Sequence, residues 1–335
     1  MSIDLQRENF SIDAAQGSHV GHLLSYGLPS WNPQANQRGT ERAAFIRTLC
    51  NKTVTSECYR LAYQRWSDLV NDSENIATWH GKLMGRLYIG TGNPNVVEAN
   101  LSVHQTYGMP LIAGSAIKGL LHAFAQRHDV DQNSLDLVFG KSTRNNQLSE
   151  AGYVIFHDAW WVPESEKTAF TPEIITVHHQ EYYKTKGETA ATDFDAPNPN
   201  AQISARGTFL FSIEGTPLWV NWAKTLLIHA LTLEGIGAKI SSGYGLFEED
   251  IAHNRQALSA EQRLDQEVAD MTLTGVADLF GQGWNNTKKS RGNEWEILLD
   301  KVHKKFQTEI KNWAISNKKG EKKTYTKFKN HFNWE

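Results

Sequence analysis

Between residues 81 and 249 strand-like and helix-like patterns alternate, and their order restricts what this chain can fold into. Four segments have the period-two alternation typical of β-strands: 82–90, 152–162, 207–215 and 244–250. Two segments between them have the apolar spacing of helices: 115–128 and 217–235. The order β-α-β-β-α-β predicts an α+β fold built on a ferredoxin-like sheet.

Both predicted helices carry terminal signals. Ser115 is suited to be the N-cap of the first helix, and Gly235 is suited to be the residue just past the end of the second. In this type of fold both helices pack on one face of the sheet, so we expect the other face to be available for a ligand.

The sequence predicts three segments around this pattern. Residues 1–80 form a helical N-terminal region, 81–250 form the core, and 251–335 form a basic, Trp-rich helical extension. The core contains a polar insertion at 163–205, which is too long for a simple turn and is interpreted as a functional projection.

Charge is distributed unevenly along the chain. The net charge of the whole chain is −3, which does not indicate general affinity for polyanions. Residues 284–335, however, hold 13 Lys and Arg against 6 Asp and Glu. Trp284, Trp295 and Trp313 alternate with these lysines, which is compatible with an RNA or partner surface and equally with a solvated helical face above buried tryptophans.

The cysteines and the apolar runs bear on the compartment. Cys50 and Cys58 have the spacing of neither a metal knuckle nor a disulfide framework. The sequence lacks a run of about 18 apolar residues, and its first residues lack the apolar region of a signal peptide. We expect a cytoplasmic protein with no membrane partner.

A glycine-rich stretch, LEGIGAKISSGYGLF at 233–247, is the first candidate binding element. Glycine allows positive φ and lets another chain approach the backbone. With bare N–H groups, the hydroxyls of Ser241 and Ser242 and the ammonium of Lys239, such a turn can hold a phosphate or a sugar. It can also be a plain connection between a helix and a strand.

A second candidate element is MPLIAGSAIKG at 109–119. Gly114 and Ser115 begin a helix whose N-terminus favours an anion, and Lys118 lies in the first turn, where it opposes the helix dipole. Either solvent exposure or a bound phosphate explains that lysine. Two glycine-and-lysine elements beside helices of one sheet favour a clamp on a nucleic-acid backbone.

The histidines raise an alternative function. His178 and His179, with Asp193 and Asp195 after them, could serve RNA cleavage or a metal site. Neighbouring residues of a strand point to opposite faces, so the two histidines are poor joint ligands, and structural or stacking roles are favoured. His104 is a candidate RNA contact or a satisfied polar residue near a turn.

Two tryptophans follow an acidic residue in VIFHDAWW, at 154–161. Trp160 and Trp161, beside Asp158, could stack on bases or could seal a core or a subunit contact. The second role is favoured.

Three stretches together resemble the RAMP superfamily of CRISPR systems, in the branch of the type III-B (Cmr) effector complexes: HQTYGMPLIAGSAIKGLL, GYVIFHDAWW and EGIGAKISSGYG. The resemblance covers roughly residues 85–250. It implies a ferredoxin-like RNA-recognition core in a backbone subunit that sits near the 3′ end of the CRISPR RNA and holds RNA without cutting it. FDAPNPNAQI at 194–203 resembles the approach to the third core strand, and Ala113 stands where a proline is usual.

The resemblance also implies site residues and partners. The residues expected to line the RNA are Gly114, Ser115, Lys118, Gly235, Gly237, Lys239, Ser241, Gly243 and Tyr244. The implied partners are CRISPR RNA, target RNA by proximity and other RAMP subunits, with no cofactor or metal and a role in antiviral defence. The alternatives are a CRISPR RNA-processing endoribonuclease of the same superfamily, using His178 or His179, and a scaffold that binds only protein.

Overall fold

The computed structural model describes residues 3–4, 19–28, 30–31, 38–92, 97, 99–141, 149–257, 260–292 and 294–334. The chain divides into two compact units, Met1–Ile251 and Ala252–Glu335. A finer division of the first unit at residue 80 stays a prediction.

The first unit mixes short and long strands with helices. Its strands are β1 (Ile3–Asp4), β2 (Ser30–Trp31), β3 (Ile76–Leu83), β4 (Leu111–Ile112), β5 (Gly140–Lys141), β6 (Glu150–Ala151), β7 (Ile155–Phe156), β8 (Ala159–Trp161), β9 (Phe170–Val177), β10 (Asn198–Ala205), β11 (Thr208–Glu214) and β12 (Phe247–Glu249). Its helices are α1 (Val20–Tyr26), α2 (Arg38–Lys52), α3 (Glu57–Asn71), α4 (Gly114–Arg127), α5 (Gln132–Phe139), α6 (Gln180–Lys184) and α7 (Pro217–Leu233). The predicted α+β class is confirmed.

The main sheet is antiparallel, and its strands lie in the order β12-β3-β11-β8-β4, with β7 also paired to β11. Its central pair joins β11 to β3, where Thr208 lies opposite Lys82 and Glu214 opposite Ile76. Numbered in chain order, the four predicted core strands therefore lie in the spatial order fourth, first, third, second.

One face of this sheet packs against α4 and α7. Trp79, Phe211 and Phe247 form the sheet side of the contact, with ring centroids 5.5 Å apart for Trp79–Phe211 and 5.3 Å for Phe211–Phe247. Ile117 and Leu227 are among the buried helix residues of the same core. α1 and α2 also contribute buried residues to this core.

The other face is not open as predicted, because α3 packs on it. Tyr59, Tyr63, Trp66 and Val70 recur every three or four residues along α3 and so share one side of the helix. The Tyr59 hydroxyl donates to the main-chain oxygen of Trp161 at 2.6 Å. Val70, Val162 and Leu210 are buried together beneath the helix.

Several predicted boundaries need correction. The first core strand ends, rather than begins, near residue 82, and the second is interrupted at His157–Asp158 into β7 and β8. The fourth is confined to Phe247–Glu249. Ser115 is not the N-cap of α4, which is Ala113 in extended conformation. α7 ends as predicted, with Gly235 at φ +77° donating its N–H to Ala230 O at 3.0 Å.

The insertion at 163–205 contains an antiparallel hairpin of β9 and β10, with α6 between them. α2 packs against both strands. His178 and His179 follow β9 instead of lying within it, and His179 has φ +57° at the N-cap of α6. The argument that a strand separates these two side chains therefore does not apply.

The second unit is helical over its described residues. Helix α8 (Ile251–Ala257) begins at the last residue of the first unit and continues into the second. The other helices of the second unit are α9 (Ala260–Asp270), α10 (Leu273–Ala277), α11 (Trp284–Arg291), α12 (Glu294–Asn312) and α13 (Lys319–Phe332). Trp295 and Trp313 are buried with Phe280 and Phe328 in the core of this unit, and Trp284 packs against them half-buried. These tryptophans belong to the core or pack against it, so they do not form an exposed surface for RNA or a partner.

The expected compartment is inferred from the cysteines and from the lack of a long apolar run. Both cysteines are free, with Cys50 buried and Cys58 exposed. No helix among the described residues is long and apolar enough to cross a bilayer.

Candidate nucleic-acid interface

The glycine-rich stretch folds into a bend between α7 and β12, and its stem is fixed by main-chain hydrogen bonds. Ile236 N–H donates to Gly245 O at 2.9 Å, which closes the stem. Gly245 N–H donates to Arg86 O at 2.8 Å, and Ala238 N–H donates to Tyr88 O at 2.7 Å. The bend is therefore tied to the segment that follows β3 as well as to the end of α7.

The tip of the bend, Lys239–Gly243, is exposed at every residue. Lys239 has φ +60°, and a short 3-10 turn at Ile240–Ser242 follows it and ends at Gly243 with φ +83°. The N–H groups of Lys239, Ile240 and Ser241 donate to no other group in the described part of the chain. Three consecutive N–H groups, the Lys239 ammonium and the Ser241 hydroxyl are thus available to an anionic ligand.

Tyr244 lies where the tip returns to the stem. It is half-buried, and its ring packs on that of Tyr88 with centroids 4.9 Å apart. Burial raises the pKa of Tyr88 well above its usual value, and neighbouring Tyr244 adds to the rise. Tyr244 therefore supports the stem as well as bordering the tip.

The residues of the second predicted element occupy different environments. Gly114 is buried, and its N–H donates to the carboxylate of Asp158 at 2.7 Å. Ser115 is exposed in the first turn of α4, and Lys118 is half-buried. The chain's own carboxylate thus occupies the position at Gly114 where we expected an external anion.

The two predicted elements lie at opposite ends of the helix pair. Arg127, at the last turn of α4, donates to Glu234 beside the end of α7 at 3.1 Å, so the two helices end together next to the bend. Gly114 lies against Phe156, which pairs with Ile213 near the other end of the sheet. Because α4 has 14 residues, its ends are about 20 Å apart. The elements do not form one compact clamp.

His104 belongs to an aromatic cluster, defined as the half-buried or buried rings around Trp160. His104 lies 4.8 Å from Trp160 between ring centroids, and Thr106 N–H donates to its Nδ1 at 3.1 Å. Burial lowers the pKa of His104, with a smaller contribution from His19, against an opposing effect of Asp158. Tyr59, Trp66 and Tyr107 also pack on Trp160, and His157 joins the cluster through its contact with Trp66.

Of the two tryptophans in the predicted second strand, only Trp160 reaches this cluster. Trp161 is fully buried, and its indole N–H donates to Arg206 O at 2.8 Å. Trp161 is therefore a core residue. The sequence analysis missed Tyr59 and Trp66, although their spacing along α3 signals an apolar helix face.

The histidine pair of the insertion forms one polar contact. His179 Nδ1 and Asp195 Oδ2 are 2.9 Å apart, and the rings of His178 and His179 are 6.2 Å apart between centroids. The hydrogen bond from His179 lowers the pKa of Asp195, with Thr192 contributing further. Among the described residues, no group of three or more His, Cys, Asp or Glu side chains is arranged to hold a metal ion.

Comparison with known proteins defines the class first. Residues 82–248 match the family model of the RAMP superfamily. The fold also matches a chain in the cryo-EM structure of the type III-B Cmr-beta bound to cognate target RNA, with a TM-score of 0.52 at 20% identity, over 64% of this chain and 72% of that one.

Two curated relatives then define the particular family. The CRISPR system Cmr subunit Cmr6 of Pyrococcus furiosus is 39% identical in an alignment of length 252 that covers 58% of this chain and 73% of the relative. Cmr6 of Saccharolobus solfataricus is 28% identical over 153 residues, 46% of this chain and 49% of the relative. The chain belongs to the Cmr6 family of the RAMP superfamily, which confirms the predicted resemblance.

Proposed function

We propose that this chain is a non-catalytic RNA-binding subunit of a type III-B CRISPR interference complex. It caps the complex near the 3′ end of the CRISPR RNA, contacts other RAMP subunits and lies close to target RNA. We propose that it acts in the cytoplasm as part of antiviral defence. The names of the two relatives support the assignment to a Cmr complex.

We propose that the main sheet of the first unit has the ferredoxin-like fold. The spatial order of the four core strands, fourth-first-third-second, supports this assignment together with the packing of α4 and α7 on one face. α3 covers part of the second face of the sheet. The RNA is therefore proposed to run along the ends of the strands and helices and not across that face.

The observation that carries the proposal is the exposed tip Lys239–Gly243. Its unbonded N–H groups can donate hydrogen bonds to the oxygens of a phosphate, and the nearby ammonium neutralises the charge. Gly243 presents no side chain, and a Cβ there would meet nothing within 4 Å, so a ribose can approach the main chain. Such contacts hold a backbone without reading its sequence.

The second candidate element, at 109–119, is proposed to contribute less to RNA binding than the bend. Ser115 and Lys118 are proposed as a separate contact at the other end of α4, whereas Gly114 serves the fold through Asp158. His104 is proposed as an edge contact whose main role is to support the loop at 104–109.

Substitution of the tip lysine tests the proposal. Lys239→Gln is expected to weaken binding of mixed-sequence RNA uniformly and to reduce the slope of log K against log salt by about 0.7, the contribution of one phosphate contact on a single strand. Lys184→Gln is the matched control, because Lys184 already pairs with Glu181 at 2.9 Å. Equal binding by both variants would contradict the role of the tip.

Cleavage is the rival function, favoured by the His179–Asp195 pair. A carboxylate can orient a histidine that acts as a general base. We therefore propose incubating the purified chain with repeat RNA in the presence of a chelator. The proposal expects intact RNA, whereas defined cleavage that is lost in His179→Ala or His178→Ala would establish an endoribonuclease.

A further inference from the structure

One face of α13 in the second unit carries a cluster of lysines. Lys322 and Lys323 follow Lys319 by three and four residues, and Lys327 follows Lys323 by four, so the four lysines share one side of the helix. Together with Thr326 they line a groove of about 320 Å³. This unit lies outside residues 82–248, the part of the chain that matches the RAMP superfamily. We call the groove lined by these four lysines and Thr326 the α13 groove.

The α13 groove is not neutralised within the described part of the chain. Lys319, Lys322 and Lys323 are exposed, and none of them pairs with a carboxylate among the described residues. Lys327 is half-buried at the base of the groove, where its ammonium donates to Gly281 O at 3.0 Å and lies 5.5 Å from the centroid of the Trp284 ring.

Several other basic side chains of the same unit pair with carboxylates. Lys288 lies 3.7 Å from Glu296, and Lys304 lies 2.8 Å from Asp300. A second groove, lined in part by Lys301, Lys304 and Lys305, includes the carboxylate of Asp265 among its own lining residues. The α13 groove differs from this second groove in having no carboxylate among its lining residues.

The arrangement costs stability unless an anion is bound. Lys319 and Lys323 are four residues apart, as are Lys323 and Lys327, and like charges at that spacing repel. Burial lowers the pKa of Lys327, and Lys323 lowers it further. A multivalent anion relieves this repulsion at all four positions at once.

We propose that the α13 groove binds the phosphate backbone of RNA, as a second contact independent of the bend. The lysines extend over nine residues, Lys319–Lys327, with a rise of about 12 Å along the helix axis, so they face more than one phosphate. Lysine is depleted from the centres of protein interfaces, which favour aromatic and apolar anchors. Apart from Thr326, all the residues that line the groove are lysines, so a nucleic-acid backbone fits better than a protein surface.

A reactivity measurement on the full chain tests this inference. Lysines are acetylated with and without mixed-sequence single-stranded RNA, and modification is read for each residue by mass spectrometry. We expect RNA to lower the reactivity of Lys322 and Lys323 at least threefold and to leave Lys288 and Lys304 unchanged. Unchanged reactivity of Lys322 and Lys323 would overturn the proposal. Protection of Lys288 and Lys304 to the same extent as Lys322 and Lys323 would also overturn it.

Paired variants give a second readout. Lys322→Gln with Lys323→Gln should reduce the salt slope of RNA binding by about 1.4, two contacts at about 0.7 each. Lys288→Gln with Lys304→Gln removes the same charge from exposed, ion-paired side chains and should leave the slope unchanged. Equal slopes in the two double variants would also overturn the proposal.

Two outcomes separate this inference from its alternatives. If Lys322 and Lys323 are protected by partner subunits of the complex but not by RNA, the groove is a protein surface and the proposal fails. If Lys239→Gln leaves RNA binding unchanged while the groove stays protected, the proposed role of the bend fails and this inference stands.

Discussion

The four glycines of the bend have different physical causes. At Gly245 a Cβ would lie 1.9 Å from Ile236 O, at Gly237 2.2 Å from Tyr88 O, and at Gly235 2.8 Å from Gly245 O. These three are required because main chains meet closely in the stem. At Gly243 nothing lies within 4 Å of such a Cβ, and only the positive φ of +83° favours glycine.

This difference predicts unequal effects of alanine. Gly243→Ala should lower the free energy of unfolding by about 1 kcal/mol, the cost of positive φ. Gly245→Ala should lower it by about 3 kcal/mol, since steric overlap adds to that cost. Gly119→Ala, at an open position within α4, is the control and should raise stability by about 0.5–1 kcal/mol. Urea unfolding measures all three, and equal losses at 243 and 245 would contradict the assignment.

His104 gives a prediction about pH. Its folded-state pKa lies below the ordinary value of 6.5 because burial disfavours the charged ring. Between the two pKa values the unfolded chain binds more protons, so the free energy of unfolding should rise with pH up to about 6.5. Protonation would also remove Nδ1 as acceptor for Thr106. His104→Gln should flatten this part of the profile, and an NMR pKa at or above 6.5 would refute the argument.

At the scale of elements, α3 decides which part of the sheet is available. Its buried Tyr59 donates to Trp161 O, and loss of the hydroxyl leaves that oxygen without its donor. Tyr59→Phe should lower the free energy of unfolding by about 1–2 kcal/mol. Tyr153→Phe, at a side chain that is 66% exposed, should have little effect. Equal effects in denaturant unfolding would show that α3 is not held through this bond.

The same elements show what the sequence could predict. β11 and α7 were placed correctly because their apolar periodicity is unbroken and Gly235 marks the helix end. The second strand was predicted as one element because periodicity cannot reveal that Asp158 leaves the strand to bond Gly114. The covering of the second face depends on a contact between α3 and residues about 100 positions away, which local patterns do not contain.

The candidate site was predictable only in part. The glycine, lysine and serine content of the bend indicated its position, and Lys239, Ser241 and Gly243 do lie at an exposed tip. The same content could not tell buried Gly235 from exposed Gly243, because the difference depends on which main-chain segments meet in the stem. The lysines of α13 were visible as a basic run, but their unpaired face emerges only once the helix is formed.

At the scale of the whole molecule, two units with separate apolar cores carry two different exposed cationic features. The bend belongs to the unit that matches the RAMP superfamily, and the α13 groove belongs to the other. A guide strand that contacts both units would be held at two places by one subunit. Loss of either contact should then weaken RNA retention without abolishing it.

The most direct test is to assemble the effector complex on CRISPR RNA, crosslink it with ultraviolet light and map the attached peptides of this chain. The account predicts crosslinks in the peptide that contains Lys239–Gly243, reduced in the Lys239→Gln complex and retained in the Lys184→Gln complex. Crosslinks confined to other peptides, or a tip peptide that crosslinks equally in both complexes, would contradict the proposal that this bend holds the guide backbone.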